Sequence, residues 1–256
     1  MDKKKINVIC LIPTRNNAPL LDRCLKSAGL WADIIIVCDQ MSTDGSRDIA
    51  AKYPKVRLID NPTVEYSESH RQKLLINEAR KIEGQRLLIT LDADEIFTPN
   101  VLTSSEWQTI LESKPGTIFK FQWANFAPGL KNMWLGYHFP WGYMDDGCDQ
   151  NESKVMHNGR IPIPPLHDII ELNQIKVIHF QFVDWTKMQS KHRYYQCLET
   201  VTFPEKSSVD IFRTYHHMLS VTKEQMIPIP GEWFEAYDKQ GIDISSVYIE
   251  IMNWFD

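Results

Sequence analysis

Two hydrophobic periods alternate through the first hundred residues. Ile6–Ile12 is a continuous apolar run ended by Pro13, the pattern of a strand buried on both faces. Leu20, Leu21, Leu25, Ala28 and Leu30 then recur at helical spacing. A second β-branched run, Asp33–Cys38, ends at Asp39. Ser42-Thr43-Asp44-Gly45-Ser46 is loop chemistry, in which Asp44 or Ser46 is suited to cap a helix reaching Tyr53. Val56–Ile59 reads as a short strand before the turn pair Asn61-Pro62, and Ser67–Ile82 as a helix with Leu74, Leu75, Ala79 and Ile82 on one side. The apolar run Leu87–Leu91 follows and stops at Asp92, Asp94 and Glu95. Alternating strands and helices predict a parallel sheet with crossover helices over residues 1–97.

Beyond this half the pattern is less regular. Thr98-Pro99 reads as a helix start, with the helix running to Ser113 and stopped by Pro115-Gly116. Thr117–Phe126 is strand-like. Ala127–Tyr143 is rich in Gly, Pro and aromatics; within the aromatic stretch Trp123–Tyr143 most members read as core, and Trp134 and Trp141 are candidates to stack on a ligand. Ser153–Ile161, around Asn158-Gly159, has the form of a hairpin, and Ile175–Phe180 of a short strand. Thr186–Leu198 reads as a helix with a basic side at Lys187, Lys191 and Arg193. From Pro204 onward the pattern is helical, interrupted at Pro228–Pro230. The expected organisation is one domain, with an α/β half of nucleotide-binding type (1–97), a less regular half (98–203), which the resemblance below makes the acceptor side, and a helical extension (204–256).

A length of 256 residues is ample for one real core. The net charge of −5 argues against nucleic acid as a partner held by bulk electrostatics. The five cysteines have no Cys-x-x-Cys spacing, which fits a reducing, cytoplasmic setting rather than a disulfide framework. No apolar run approaches the ~20 residues of a membrane span. Lys3-Lys4-Lys5 before the first strand lacks a signal peptide's long apolar region and cleavage site. There is no Gly-x-Gly-x-x-Gly after the first strand and no Gly-x-x-x-x-Gly-Lys-Ser/Thr, so dinucleotide and P-loop sites are not indicated.

The acidic end of the Leu87–Leu91 strand is the main chemical signal. Carboxylates at the carboxyl end of a buried strand lie where open α/β sheets bind ligands. On a continuing strand Asp92 and Asp94 point the same way, and two hard oxygen ligands suit Mg²⁺ or Mn²⁺.

Three segments, Val8–Asn16 (ending Pro-Thr-Arg-Asn), Ile34–Ser46 (Asp39 followed by Ser-Thr-Asp-Gly-Ser) and Leu91–Ile96 (Leu-Asp-Ala-Asp-Glu-Ile), together resemble the family 2 glycosyltransferases of GT-A fold. The version Leu-Asp-Ala-Asp-Glu resembles the branch that includes lipopolysaccharide-core and peptide-modifying enzymes. Leu166-His167-Asp168, Val177-Ile178-His179 and Lys191-His192-Arg193-Tyr194-Tyr195 stand where that branch has a His-Glu pair, an isolated His and a basic aromatic helix. Two departures are visible. Asp39-Gln40-Met41 replaces the common Asp-Asp-Gly, and His-Asp replaces His-Glu.

The resemblance implies an α/β GT-A fold: a mostly parallel nucleotide-binding sheet flanked by helices, a smaller mixed acceptor-side region and a helical tail. It implies a donor pocket at Pro13, Thr14, Arg15, Asp39, Arg71, Asp92, Ala93 and Asp94. A divalent ion, Mn²⁺ or Mg²⁺, would be held by Asp94 with Asp92 and His179. The base taking the acceptor's proton would be Asp168, with Asp145 or Asp146 in reserve. The implied reaction moves a sugar, with inversion, from a nucleotide-diphosphate sugar (a UDP-sugar favoured) to a saccharide, lipid-linked saccharide or peptide acceptor. The implied pathway is cell-surface polysaccharide or lipopolysaccharide synthesis, and lipid-linked acceptors would bring peripheral contact with the inner face of a membrane. A non-catalytic nucleotide-sugar-binding scaffold is the alternative. A sugar-nucleotide pyrophosphorylase fits less well, because Pro13-Thr14-Arg15-Asn16 lacks that class's glycines.

Overall fold

The computed structural model describes residues 5–149, 154–163, 167–216 and 221–246. Nine strands form one sheet among these residues: β1 (Ile6–Thr14), β2 (Ile34–Asp39), β3 (Val56–Asp60), β4 (Gln85–Thr90), β5 (Glu95–Phe97), β6 (Ile118–Phe126), β7 (Asn132–Met144), β8 (Ile169–His179) and β9 (Ile227–Pro228). Their order is β3-β2-β1-β4-β7-β6-β8-β5, with β9 added beside β7. β1 to β4 are parallel. β7 is antiparallel to both β4 and β6, β8 is parallel to β6, and β5 is antiparallel to β8. The helices are α1 (Ala18–Trp31), α2 (Ser46–Ala50), α3 (Glu68–Arg80), α4 (Ser105–Leu111), α5 (Trp185–Thr202), α6 (Ser208–Tyr215) and α7 (Gly231–Asp238). The expected mostly parallel α/β sheet flanked by helices is present.

The central strands read as unbroken apolar runs because both of their faces are covered. In β1, Val8, Cys10 and Ile12 enter one core, while Ile9 and Leu11 enter another under α3. In β2, Ile35 and Val37 part from Ile36 and Cys38 in the same way. In β4, Leu87 and Ile89 part from Leu88. Fully burying each such side chain is worth about 2 kcal/mol, so these strands hold the sheet's centre fixed. Their carboxyl ends, which carry the motifs, form a rigid rim.

Three elements differ from the sequence expectation. Thr98 does not cap a helix, because its hydroxyl accepts the Lys176 N–H of β8 at 3.0 Å and donates to Asn100. α4 begins seven residues later, capped by Ser104. The hairpin expected at Ser153–Ile161 is absent from its described residues, Ser153 lying outside them. Residues 154–161 contain no strand, because Glu68 at the start of α3 holds this segment through Val155 O and Asn158 N. The aromatic stretch is largely a strand, β7, whose Gly142 lies against Phe119, where a Cβ would come within 3.0 Å of the Phe119 Cβ. Trp134 and Trp141 are buried in it, 8% and 0% exposed, so neither presents a face to a sugar.

Candidate active site

The site begins where β1 and β2 end side by side, with Thr14 in register with Asp39. Their two following loops are sewn together. Asn16 N–H donates to Ser42 Oγ, Thr43 N–H to Asn16 Oδ1, Asn17 N–H to Ser46 Oγ and Ala18 N–H to Asp44 Oδ2 at 2.8 Å. Asp44 thus caps α1 from a different loop, and its carboxylate also accepts Ser46 N–H. Burial works to raise the Asp44 pKa, but the Ala18 and Ser46 hydrogen bonds prevail and lower it. Asn16 and Met41 lie in the left-handed region, with φ of 49° and 55°. Such backbone costs energy in a non-glycine residue and tends to gather at functional sites.

Asp39 is 1% exposed. Its Oδ2 accepts Ser42 N–H and the Arg47 guanidinium, both near 3 Å. Its Oδ1, and the Thr14 hydroxyl oxygen, are buried with no hydrogen-bond partner among the described residues. A buried polar atom without a partner is costly, and two at adjoining strand ends fit a nucleoside's N–H and O–H groups. Pro13 continues β1 into this corner, and Arg15 is exposed beyond it. Arg71, on α3, lies over the Tyr66 ring at 4.8 Å and donates to Tyr66 Oη, while its buried Nε is unpartnered among the described residues.

β4 stops at Thr90, and residues 92–95 make a turn closed by Glu95 N–H to Asp92 O. Asp92 and Asp94 therefore do not share a strand face, as a continuing strand would have given. The turn sends Asp94 toward His179, with Oδ2 and Nε2 3.9 Å apart. His179 Nδ1 lies 2.9 Å from Asn125 Oδ1, an acceptor, so the proton belongs on Nδ1 and the Nε2 lone pair faces the carboxylate. The imidazole also stacks on Trp123 at 5.1 Å and 11°. A carboxylate and an oriented imidazole are a donor pair that fits Mn²⁺ or Mg²⁺. No group of three or more His, Cys, Asp or Glu side chains able to hold a metal occurs among the described residues, so other ligands would be substrate oxygens and water. Ala93, 3% exposed, packs the turn into the core.

Asp92 is engaged differently. Its Oδ2 accepts Arg160 at 2.6 Å, while the same guanidinium gives a second 2.6 Å bond to Glu95 Oε2. One oxygen of Asp92, expected as a metal ligand, is thus engaged in an ion pair. Burial works to raise the Asp92 pKa, but Arg160, Arg71, Lys191 and His179 together lower it. Glu95 is fully buried and saturated. It accepts Asp92 N–H and the indole N–H groups of Trp123 and Trp141, besides Arg160. α5 completes this rim, with Lys187 Nζ donating to Asn16 O and Lys191 to Gln181. Two of the three residues expected on a basic side therefore turn toward the site, and Arg193 is exposed.

The three proposed bases are elsewhere. Asp168 precedes β8 at the end opposite His179; β6 matches Ile169 with Ile118 and His179 with Asn125, so at ~3.3 Å per step the two lie roughly 25 Å apart. Its carboxylate is exposed and paired with Lys114 at 2.9 Å, beside an open hollow lined by Ser113, Thr117 and His167. Asp145 follows β7 and binds Arg86 at the amino end of β4. It is clamped by Arg80 and Arg86, both at 2.9 Å. Asp146 accepts the Tyr143 hydroxyl next to it. None of the three reaches the rim that carries Asp94. Leu166 lies outside the described residues.

Arg160 and Asn125 were missed as site residues from the sequence, and Trp123 was read only as part of an aromatic stretch. They lie on a loop and on a strand with no motif, and only the fold brings them to the acidic turn.

The comparisons bear on this rim. Residues 9–106, which supply most of β1, all of β2 to β5 and every residue from Thr14 to Glu95 named above, match the model of glycosyl transferase family 2. Over these residues the chain is similar to glycosyl transferase family 2. The family 2 segment ends inside α4, so Asn125, Arg160 and His179 lie outside the match. No curated protein matches the chain in sequence. Among solved structures, it is similar to glucosyl-3-phosphoglycerate synthase from M. tuberculosis (16% identity, 46% of this chain and 44% of that one, TM-score 0.35). It is also similar to HddC from Yersinia pseudotuberculosis (13% identity, 67% and 92%, TM-score 0.40). A third is the inositol-1-phosphate CTP transferase from T. maritima (9% identity, 68% and 89%, TM-score 0.39). The chain spans less than half the length of the M. tuberculosis synthase.

Proposed function

We propose that this glycosyltransferase takes its sugar from a nucleotide-diphosphate donor, a UDP-sugar in the first instance, and delivers it with inversion to an acceptor hydroxyl. We place it in cell-surface polysaccharide or lipopolysaccharide synthesis, with a saccharide, lipid-linked saccharide or peptide as acceptor and peripheral contact with a membrane. The observation that carries the donor reading is the Asp94–His179 pair, set by Asn125 at the same rim as the unpartnered Asp39 and Thr14 oxygens.

In this reading Asp39 Oδ1 accepts an N–H or O–H of the nucleoside and Thr14 lines the same corner. Asp94 and His179 Nε2 would hold Mn²⁺ or Mg²⁺. Such an ion supplies charge neutralisation on the departing diphosphate. Arg160, Arg71 and Lys191 surround Asp92 with positive charge and favour the diphosphate electrostatically. Asp92 is held as a carboxylate by those same groups, which makes it a weak base.

The remoteness of Asp168, Asp145 and Asp146 supports a second reading, a nucleotide-sugar-binding protein without turnover. Thermal unfolding against UDP-, GDP-, dTDP- and CMP-sugars, with and without Mn²⁺, tests the donor site in wild type and Asp94→Asn. A ligand at ~100 times its Kd adds about 2.7 kcal/mol, a shift of several degrees. A metal-dependent shift for one nucleotide, lost in the variant, is expected. The absence of any shift in folded protein would remove the donor site. Binding without release of nucleotide or transfer of sugar would favour the second reading.

A further inference from the structure

β7 carries an irregularity beside the site. Gln122 pairs with His138 and Ala124 with Leu135, so Trp123 stands opposite two residues, Gly136 and Tyr137. Bulges of this kind occur beside active sites and re-aim side chains. Gly136 fits because it lacks a side chain: a Cβ there would lie 3.2 Å from the Trp123 Cβ and 3.1 Å from Asn125 Nδ2. Phe139, directly opposite Phe121, packs its ring on Trp123 at 4.7 Å and is still 39% exposed. Tyr137, two positions earlier on the same strand face, is 83% exposed. The Trp123 ring in turn stacks on His179. A strip of aromatic side chains therefore runs from open solvent at Tyr137 to the imidazole that faces Asp94.

We propose that Tyr137, Phe139 and Trp123 form the acceptor subsite and that its occupant is a saccharide. This rests on the donor reading above, because the strip acquires its meaning from ending at Asp94 and His179. The occupant follows from the strip's shape. Its exposed members, Tyr137 and Phe139, stand on one strand, and two side chains offer far less than the ~800 Å² per partner of a stable protein interface. A sugar ring has one C–H face to lay on an aromatic ring and a rim of hydroxyls that needs water or polar partners, and the exposed Tyr137 supplies a phenol at the outer end. The role expected of the buried Trp134 and Trp141 thus passes to rings that solvent can reach.

The experiment is saturation-transfer NMR on the full chain with methyl glucoside, methyl mannoside and N,N′-diacetylchitobiose, in wild type, Tyr137→Ala, Tyr137→Trp and Phe139→Ala. UDP–Mn²⁺ binding is read on the same samples. At least one sugar is expected to bind wild type through its C–H protons. That binding should weaken about tenfold in Tyr137→Ala, a change equal to ~1.4 kcal/mol, and return in Tyr137→Trp, with UDP binding unchanged. Sugar binding untouched by Tyr137→Ala and Phe139→Ala overturns the subsite. So does binding of none of the three sugars, or binding of phosphatidylglycerol vesicles alone with dependence on Tyr137. Loss of UDP binding in wild type instead removes the donor reading, whatever the sugars do.

Discussion

At the residue scale, the divergence of Asp92 and Asp94 decides most. Two carboxylates two positions apart do different work because a turn, not a strand, carries them: one accepts Arg160, the other faces His179. Asp94→Asn and His179→Ala should each abolish the metal-dependent part of nucleotide stabilisation; because His179 is buried and stacked on Trp123, its removal should also lower the metal-free melting temperature by several degrees, while the near-isosteric Asp94→Asn should change it less. A metal effect that survives both would remove the pair from the metal site. Asp168→Asn should leave nucleotide binding and any sugar transfer unchanged, because its carboxylate is exposed and paired with Lys114 at the far end of β8. A hundredfold loss of turnover, the least expected for removing a general base, would restore it as the base. That Asp39, Asp92 and Asp94 stand at strand ends was legible in the sequence because each follows an apolar run; the turn that parts Asp92 from Asp94 was not. Nor were Asn125 and Arg160, since nothing local distinguishes an Asn within a strand or an Arg in a loop. Their roles arise only when β6 and residues 154–163 reach the acidic turn.

At the scale of elements, the loops after β1 and β2 behave as one unit. Asp44 is the cross-link, joining the α1 amino terminus to the loop that positions Asp39. Asp44→Ala should cost about 1 kcal/mol of stability, the usual loss for a helix cap, and should also weaken nucleotide binding, because Asn16, Ser42 and Asp39 lose a shared anchor. Urea unfolding and the nucleotide-dependent melting shift measure the two effects separately; a stability loss with unchanged nucleotide affinity would show that the loops position independently. The strands of this half could be read from the sequence because burial on both faces leaves uninterrupted apolar runs. β7 could not, because it combines glycines, a proline and a bulge with aromatic residues exposed at Tyr137 and buried at Trp141. α4 was placed too early because Thr98-Pro99 has the local chemistry of a helix start, while the Thr98 hydroxyl is committed to the edge of β8.

At the scale of the whole molecule, the sheet separates two chemistries between its two edges. The carboxyl edge of β1, β2 and β4 carries strained loops, unpartnered oxygens and crowded cations. The amino edge of β4 carries the closed clamp of Asp145 between Arg80 and Arg86. Burial works to raise the Asp145 pKa, but the two guanidiniums and Gly147 N–H prevail and lower it. Its folded pKa thus lies below the ~3.9 of an unfolded Asp. A depressed carboxylate stabilises the fold fully above the unfolded pKa and loses that contribution as pH falls through the folded value. Asp44 and Asp92 are shifted in the same direction. Stability from these three groups should therefore be constant from neutral pH down to about pH 5 and fall below about pH 4. Asp145→Asn isolates one of them. It leaves two guanidiniums facing each other without a counter-charge, at a cost of about 3 kcal/mol near neutral pH. The difference between wild type and variant should narrow as pH drops below 4, because the wild-type carboxyl is then protonated as well. Urea unfolding at neutral pH and near pH 3 reads this directly. A gap that stays constant with pH would mean the clamp acts through its hydrogen-bonded shape rather than its charge. Nucleotide binding at neutral pH should be the same in both proteins, since the clamp stands at the edge of the sheet away from Asp39 and Asp94.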